Sequence, residues 1–428
     1  MNLEQIKSII LTGLVFLSIF LFGYIMTFQQ NYDQINNQEY VAEITISRKV
    51  DIKELIQPKK MVLKNDTEYA GTENMMAIQL IMDEIQKWNF YDFSNATAEF
   101  MQQWNDSPTV LIFQYEEIPL ELVKTILTVE QDDIPAILFQ YMIIFPENIS
   151  GNEGVIYFAT NDMKTSVKSR VRYDNRAEFL QKLEDFKQNS HTYLVHQQSN
   201  GGMLFVNNEQ DLTLETFPYY TTEIPIQTFV EVLFPDPSVV TKTENTFTNG
   251  TSLLDVYEDR KTFQFVNPTV TKDQTITTSQ LIQTAMNFVN QHGGWTDQYI
   301  FSNIDIENNG VYFQLYLNDY MVVDHSSKLS VEIGNSGIYS YKRPYFSLNF
   351  PIKPYEKKLP SGEQVLHYLQ EMKKINFDDL NDVAIGYEMT YQEDDAMLEF
   401  EPKWYFKIGD KWQLVYEEEQ GGEKNGLE

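Results

Sequence analysis

Five histidines are the side chains in this sequence best suited to bind a metal ion or to exchange a proton near neutral pH. His191 and His196 stand five positions apart, so they share no helix face, and in a strand they would point to opposite sides. His292 precedes a Gly pair at a predicted helix end, His325 follows an aspartate in a predicted turn, and His367 falls on a predicted helix. We therefore expect these histidines to be caps, core or surface residues, and we predict no metal or other cofactor.

Adjacent carboxylates are the next residues that suggest acid–base chemistry or cation binding. Neighbouring positions do not by themselves provide the differently buried carboxylates that acid–base catalysis uses. With 62 Asp and Glu residues in the chain, several adjacent pairs are expected. We predict that the pairs lie on the solvated surface; they are Glu116-Glu117, Asp132-Asp133, Asp378-Asp379 and Asp394-Asp395.

The segment DIENNG (305–310) begins like a calcium-binding loop, with acidic and amide side chains before a glycine. Position twelve of such a loop should be a bidentate Glu, but here it is Tyr316, inside an apolar stretch. We therefore predict a hairpin turn. The sequence also has no cysteine, no phosphate-binding glycine loop, no His-Glu-x-x-His and no Ser-x-x-Lys set. These features favour a protein that is not an enzyme.

The formal net charge of −30 limits the possible partners. Nucleic acids need Lys and Arg partners for their phosphates, so this charge argues against nucleic acid, and equally against anionic membrane surfaces and anionic wall polymers. Aromatic residues make up 14% of the chain, whereas disordered acidic chains are poor in aromatics, so we expect a folded protein. The absence of cysteine suits a disulfide-poor export route, as in Gram-positive bacteria.

The elements that must position these side chains alternate between helical and strand patterns. Apolar residues at helical spacing predict helices over 73–90, 118–127 and 175–188, and β-branched and aromatic runs predict strands over 109–115 and 154–160. The predicted fold class is α+β, with a single N-terminal transmembrane helix followed by a multi-domain extracellular region of helices packed on antiparallel sheets. The predicted domains are a cytoplasmic tail and anchor (1–30) and three α+β domains (31–190, 191–350 and 351–428).

Two sequence patterns recur along the chain. EEIPLELVKTIL (116–127) is echoed by TEIPIQTFVEVLF (222–234), where Glu-Ile-Pro again precedes a helical apolar pattern. In the C-terminal half, two capped amphipathic helices, over 277–295 and 360–375, are each followed by several strand-like segments separated by polar turns. We predict that each is an α+β module, with a helix lying on a twisted antiparallel sheet.

An uncharged stretch of 21 residues follows Lys7 and ends at Phe28. At about 1.5 Å per residue this helix would span roughly 31 Å, close to the hydrocarbon thickness of a bilayer. The stretch is longer than the core of a secretory signal, and no Ala-x-Ala-like site follows, so we predict an uncleaved single-pass anchor over a cleaved signal or a buried helix. Because Lys7 and the N-terminal amine precede it and the next basic residue is Arg48, the N-terminus is predicted to be cytoplasmic and the bulk of the chain extracellular.

One arc of the predicted helix differs from the rest. At about 100° per residue, seven residues fall within roughly 120°, and most of them are small or hydroxylated; they are Thr12, Gly13, Phe16, Phe20, Gly23, Tyr24 and Thr27. The opposite arc is apolar except for Ser18. Small and hydroxylated residues are found where transmembrane helices approach each other. We predict that this arc contacts a partner helix, and the alternative is a plain lipid-exposed tether. The few residues before the helix leave no room for a signalling domain, so a signal would have to pass through another membrane protein.

Several segments together resemble the YycH family of membrane-anchored regulatory proteins. They are IKSIILTGLVFLSIFLFGYI (6–25), LFPDPSVV (233–240), FTNGTSLLDVYEDRKTFQFVNP (247–268), KRPYFSL (342–348) and LEFEPKWYFKIGDKWQLV (398–415). None is a catalytic motif, and each is weak singly and diagnostic in combination. A typical member has a basic residue or two more before the anchor, and often Thr-Asp-Gly where this chain has Thr248-Asn249-Gly250.

The resemblance implies a non-enzymatic accessory regulator with a multi-domain α+β fold outside the membrane. Such proteins act with the companion protein YycI beside the sensor histidine kinase YycG, also called WalK, of the Wal (YycFG) two-component system. They adjust the kinase, and so the transcription of cell-wall hydrolase genes, through transmembrane and extracellular contacts. The expected partners are this kinase, YycI and the membrane, with no nucleic acid. Two alternatives stay open, an extracellular wall-associated enzyme and a binding module for a wall fragment.

Overall fold

The computed structural model describes residues 47–272, 276–392 and 397–416. β-Sheets dominate these ranges and helices pack on them, which confirms the predicted α+β class. None of the helices within these ranges is long and apolar enough to cross a membrane. The predicted anchor and its patterned arc lie outside the described residues.

The first sheet has ten strands and comes from the N-terminal half of the described chain. Its strands are β1 (Lys60–Asn65), β2 (Glu68–Thr72), β3 (Asn89–Asn95), β4 (Thr109–Pro119), β5 (Thr128–Val129), β6 (Leu138–Ile144), β7 (Glu153–Ala159), β8 (Ser166–Arg172), β9 (His191–Gln197) and β10 (Met203–Asn207). The order across the sheet is β10-β9-β2-β1-β4-β6-β7-β8-β3-β5. Its pairs are antiparallel except β3 with β5, which is parallel.

The helices of this half are α1 (Ile52–Leu55), α2 (Met75–Ile85), α3 (Thr97–Asp106), α4 (Val123–Ile126) and α5 (Arg176–Asn189). The Asn74 side chain starts α2 by accepting the Ala77 N–H at 2.8 Å. The helix then buries Ile78, Ile81 and Ile85, which share one face at helical spacing. The predictions of α2 and α5 are confirmed, with bounds that differ by a few residues.

The helix predicted over 118–127 is wrong in its first part. The strand β4 continues through Ile118 and Pro119, which lie opposite Phe139 and Leu138 of β6. A short 3₁₀ turn follows, and α4 is the single α-helical turn of this segment. Pairing with β6 therefore overrides the helical apolar pattern at its start.

The second sheet has fifteen strands and comes from the C-terminal half. Its strands are β11 (Thr213–Glu223), β12 (Thr241–Thr243), β13 (Thr246–Thr248), β14 (Leu253–Tyr257), β15 (Thr262–Val266), β16 (Tyr299–Asp305), β17 (Gly310–Leu317), β18 (Tyr320–Val322), β19 (Lys328–Gly334), β20 (Gly337–Pro344), β21 (Phe346–Pro351), β22 (Tyr355–Lys358), β23 (Asp382–Tyr391), β24 (Met397–Ile408) and β25 (Lys411–Leu414). The main path is β12-β13-β14-β15-β20-β19-β17-β18-β23-β24-β11-β21, with β16 on β17, β22 on β11 and β25 on β24.

Within the described ranges, three α-helices accompany this sheet: α6 (Ile226–Leu233), α7 (Thr278–Gln291) and α8 (Gly362–Glu371). Capping boxes start α7 at Thr277 and α8 at Ser361, as the sequence predicted. After α7 the strands β16, β17, β19 and β20 form an antiparallel meander, and after α8 so do β23, β24 and β25. The predicted helix-then-meander repeat and the hairpin turn at DIENNG are therefore confirmed.

Both halves contribute to a shared hydrophobic core. One cluster contains Leu63 and Phe113 from the first sheet together with Phe313 and Phe400 from the second. The second sheet also includes strands from both sides of the domain boundary predicted at residue 350, because β11, which precedes that residue, pairs with β24, which follows it. The predicted domain boundaries stay a prediction.

Candidate functional site

A buried ammonium group joins the two sheets. Lys60, the first residue of β1, is 1% exposed, and its Nζ lies 2.7 Å from Oδ1 of Asp382, the first residue of β23. The same Nζ donates to the carbonyl oxygens of Phe205 in β10 at 3.0 Å and of Val383 at 3.1 Å. One side chain therefore ties β1 and β10 of the first sheet to β23 of the second.

The ionic contacts continue through the neighbouring lysine. Lys59 Nζ lies 3.0 Å from Asp382 Oδ2 and 2.9 Å from Glu116 Oε1 in β4. The other oxygen of Glu116 accepts from Lys407 Nζ in β24 at 3.3 Å. Burial would lower the pKa of Lys59, but Glu116 and Asp382 raise it above its ordinary value. These side chains are held as charged pairs across the junction.

Two buried carboxyls of this junction have pKa values shifted in opposite directions. Burial alone would raise the pKa of Asp382, but Lys60 and Lys59 outweigh it and hold the pKa well below its usual range. Glu73 Oε1 lies 3.6 Å from Lys60 Nζ, and burial raises the pKa of Glu73 to about 7 because Lys60 offsets only part of the desolvation. We call the six residues the inter-sheet network: Lys59, Lys60, Glu73, Glu116, Asp382 and Lys407.

The local sequence explains why a lysine is buried here. The residues after Lys60, namely Met61, Val62 and Leu63, are buried on both faces of β1, which lies between β2 and β4. The strand therefore runs into the interior and carries its first residue into the junction. A charge at such a depth is tolerated only when it is paired and hydrogen-bonded, as Lys60 is.

A cleft of about 690 Å³ adjoins the inter-sheet network. Glu116 and Lys407 of the network line it, together with residues of β16, β17, β19, β20 and β25. Along β19, Lys328 and Ser330 are half-buried and line the cleft, whereas Leu329 and Val331 alternate with them and are buried in the core. The cleft is thus lined by the polar face of a sheet whose other face is packed.

The first described residues are fastened to the end of α7, and we call this contact the N-terminal clamp. Asn290 Oδ1 accepts from Val50 N at 2.9 Å and from Trp295 Nε1 at 2.8 Å, while its Nδ2 donates to Val50 O at 3.0 Å. Ser47 Oγ donates to Trp295 O. Gly294 has φ +68°, and a Cβ there would lie 2.7 Å from Ser47 O, so this close approach requires glycine.

The histidines weighed as ligands are dispersed over the described chain. His191 and His196 lie in β9, His292 at the end of α7, His325 beside the cleft and His367 in α8. Within the described ranges, no group of three His, Asp or Glu side chains is placed to hold a metal ion.

The surface prediction for the acidic pairs is wrong at Glu116, because two lysines reach it across the junction. It is confirmed for Glu117 and for the pairs at 132–133 and 378–379, which are exposed. The pair at 394–395 lies outside the described residues, as do the predicted partner-helix residues between Thr12 and Thr27.

Sequence reasoning missed Lys59, Lys60 and Asp382. A signal existed, because the Lys59-Lys60 pair is followed directly by the apolar residues MVL, and Asp382 is followed directly by VAI. Charges at the start of such strands are candidates for buried pairs. Their pairing with each other was not predictable, since Lys60 and Asp382 are 322 positions apart.

Comparisons with known proteins agree with one another. The family model of the YycH protein N-terminal domain matches residues 4–189, and that of the YycH protein C-terminal domain matches residues 203–421. A Bacillus subtilis (strain 168) protein named "Two-component system WalR/WalK regulatory protein YycH" is 24% identical over 440 residues, covering 96% of both chains. The crystal structure of YycH from Bacillus subtilis has the same fold, with a TM-score of 0.75 and 20% identity over 87% of this chain and 99% of that one. The chain belongs to the YycH family.

Proposed function

We propose that this protein is a non-enzymatic accessory regulator of a membrane sensor histidine kinase of the WalK (YycG) type, and so of cell-wall metabolism. The observation that carries the proposal is its similarity, over 96% of both chains, to a protein named as a regulator of the WalR/WalK two-component system. Matches to both family domain models, from residue 4 to residue 421, support it further.

The proposed location is the cell membrane, with the N-terminus in the cytoplasm and the bulk of the chain outside. The uncharged stretch at 8–28 and the basic residue before it support this arrangement. The proposed partners are the kinase and the companion protein YycI, with the membrane as the shared surface and no nucleic acid. Confinement to one membrane would supply the effective concentration that weak lateral contacts need.

The N-terminal clamp gives this proposal a physical route. Ser47 is the first described residue after the proposed anchor, and hydrogen bonds of Ser47 and Val50 with Asn290 and Trp295 hold this part of the chain to the end of α7. A force or displacement arriving along the connecting segment would therefore be delivered to the second sheet, next to the cleft-forming strands. We propose that the body biases the kinase through this connection and through direct contacts outside the membrane.

The test is the phosphorylated fraction of the WalR-type response regulator in cells of the host. Removal of the protein should change this fraction, and the full chain supplied in trans at native level should restore it. A version that keeps the anchor but lacks the body should not restore it. An unchanged phosphorylated fraction on removal, under growth and under wall stress, would refute the proposed function.

A further inference from the structure

Two lysines on the polar face of the second sheet have no protein acceptor among the residues that the structure describes. Lys328 in β19 and Lys342 in β20 are half-buried, and among the described residues neither Nζ makes an ion pair or a hydrogen bond. Other lysines at such depth are paired; Lys407 contacts Glu116, for example, and Lys272 forms an ion pair with a glutamate. A partly desolvated ammonium group is stabilised by a negatively charged acceptor, so these two lysines are placed to bind an anion that enters the cleft.

The strand register brings these groups to one patch. Lys342 lies directly opposite Ser330, and Lys328 precedes Ser330 by two positions, so the three side chains share one face. On the other side of β19, Tyr312 in β17 lies opposite Ser330. All four residues line the 690 Å³ cleft, where Lys407 of β24 adds a third ammonium group.

The ammonium groups in the cleft also repel one another. Burial lowers the pKa of Lys328, and the neighbouring charges of Lys407 and Lys342 act in the same direction, whereas Asp410 and Asp324 oppose them. Burial likewise lowers the pKa of Lys342. An anion bound between them would offset this repulsion and accept hydrogen bonds from both ammonium groups.

The acidic residues of the cleft do not fill that role. Glu116 belongs to the inter-sheet network, and Asp305 accepts from Asn308 N at 3.0 Å and from its Nδ2 at 2.7 Å within the turn. Glu307 and Asp410 are exposed and lie in turns at the cleft's rim. Asp324 acts favourably on both lysines but forms an ion pair with neither, and its Oδ1 accepts from Ser326 N at 2.6 Å. Within the described ranges, Lys328 and Lys342 therefore have no carboxylate in direct contact.

We propose that this cleft binds a small phosphate-bearing anion, with Lys328 and Lys342 as direct contacts and Lys407, Ser330 and Tyr312 beside them. Hydrogen bonds between ammonium groups and phosphate oxygens are charge-assisted and belong to the strong class. The net charge of −30 repels extended polyanions, so the ligand class is a short molecule with one or two phosphate groups. The inference does not depend on kinase regulation. A soluble phosphate compound and a phospholipid headgroup offer the same chemistry, and the test separates them.

The experiment measures the reactivity of individual lysines in the full chain, reconstituted in lipid nanodiscs. Amine acylation is followed by mass spectrometry, with and without millimolar inorganic pyrophosphate and with chloride at matched ionic strength. In phosphatidylcholine nanodiscs, pyrophosphate should slow the acylation of Lys328 and Lys342 several-fold and saturably. Lys187 and Lys353, which are exposed and outside the cleft, should not change. Protection in phosphatidylglycerol nanodiscs without pyrophosphate would identify a lipid headgroup as the source and would equally support the site.

Variants give a second readout. The double variant K328Q/K342Q should weaken pyrophosphate binding, measured by calorimetry, about tenfold or more, while K187Q/K353Q should bind like the unaltered chain. The lysine-reactivity measurement uses the unaltered chain, so it stands even if K328Q/K342Q fails to fold. Absence of protection in both kinds of nanodisc, or equal protection of Lys187 and Lys353, would overturn the proposal.

Discussion

Replacing Lys60 by methionine should destabilise the protein strongly. The change keeps most of the side-chain volume but removes the ammonium group that contacts Asp382 at 2.7 Å and two buried carbonyl oxygens at 3.0 and 3.1 Å. Breaking a buried ion pair by removing one partner costs about 3–5 kcal/mol, because the other charge stays buried. Lys59 lies 3.0 Å from the second oxygen of Asp382 and would still pair with it. We therefore expect the free energy of unfolding to fall by about 3 kcal/mol, the lower end of that range.

The assay is urea unfolding of the segment from residue 44 onward, which forms one compact unit. With a denaturant slope of about 3 kcal/mol per molar urea, this loss lowers the midpoint by about 1 M. Lys164→Met is the matched control, because Lys164 pairs with Asp162 at 3.6 Å while 65% exposed, and such surface pairs contribute about 0–1 kcal/mol. A Lys60→Met midpoint no lower than that of Lys164→Met would refute the role given to the network.

Three further predictions concern other parts of the molecule. Glu73→Gln should stabilise the fold above about pH 7 by roughly 3 kcal/mol at most, and should have little effect below about pH 4.5. Folding raises the pKa of Glu73 from 4.5 to about 7, so the unfolded chain loses this proton first and wild-type stability falls as pH rises through that window. Urea midpoints of Glu73→Gln and wild type, compared at both ends of the window, would show this. An equal difference between the two proteins at both pH values would contradict the prediction. Asn290→Ala should release the N-terminal clamp and speed amide exchange at Val50 and its neighbours, measured by hydrogen–deuterium exchange. An unchanged exchange rate at Val50 would mean that other contacts hold the clamp. Gly23→Leu, on the patterned arc, should partly weaken cross-linking to the kinase, since interhelical contacts contribute about 0.6–2 kcal/mol. Ile25→Ala, on the opposite arc, should weaken cross-linking less. Equal effects of the two variants on cross-linking would mean that the helix is only a tether.

Elements with strong local signals could be predicted from the sequence. The helix α7 has its cap at Thr277, apolar residues at helical spacing and a Gly pair after His292, and each of these acts within a few residues. The hairpin after Asp305 was predictable for the same reason, because its turn residues determine the connection. By contrast, the end of β4 at Pro119 depends on pairing with β6, a contact that the apolar pattern of 118–127 does not contain.

The candidate sites depend still more on distant contacts. Glu116 was predicted to be solvated because several adjacent acidic pairs are expected in so acidic a chain, and the two lysines that contact it come from positions 59 and 407. The Lys328–Lys342 patch likewise exists only through the register of β19 with β20. Composition argued against anionic partners for the chain as a whole, and this is consistent with one local pair of lysines that lines a cleft in an acidic protein.

Co-purification from membranes tests the central claim most directly. The full chain, tagged at its C-terminus and expressed at native level, is isolated from host membranes in mild detergent, and the WalK-type kinase is quantified in the eluate. We expect the kinase to be recovered with the chain, and an unrelated single-pass membrane protein isolated in the same way to recover none. Intact chain recovered repeatedly without the kinase, both in mild detergent and after cross-linking in the membrane, would contradict the account.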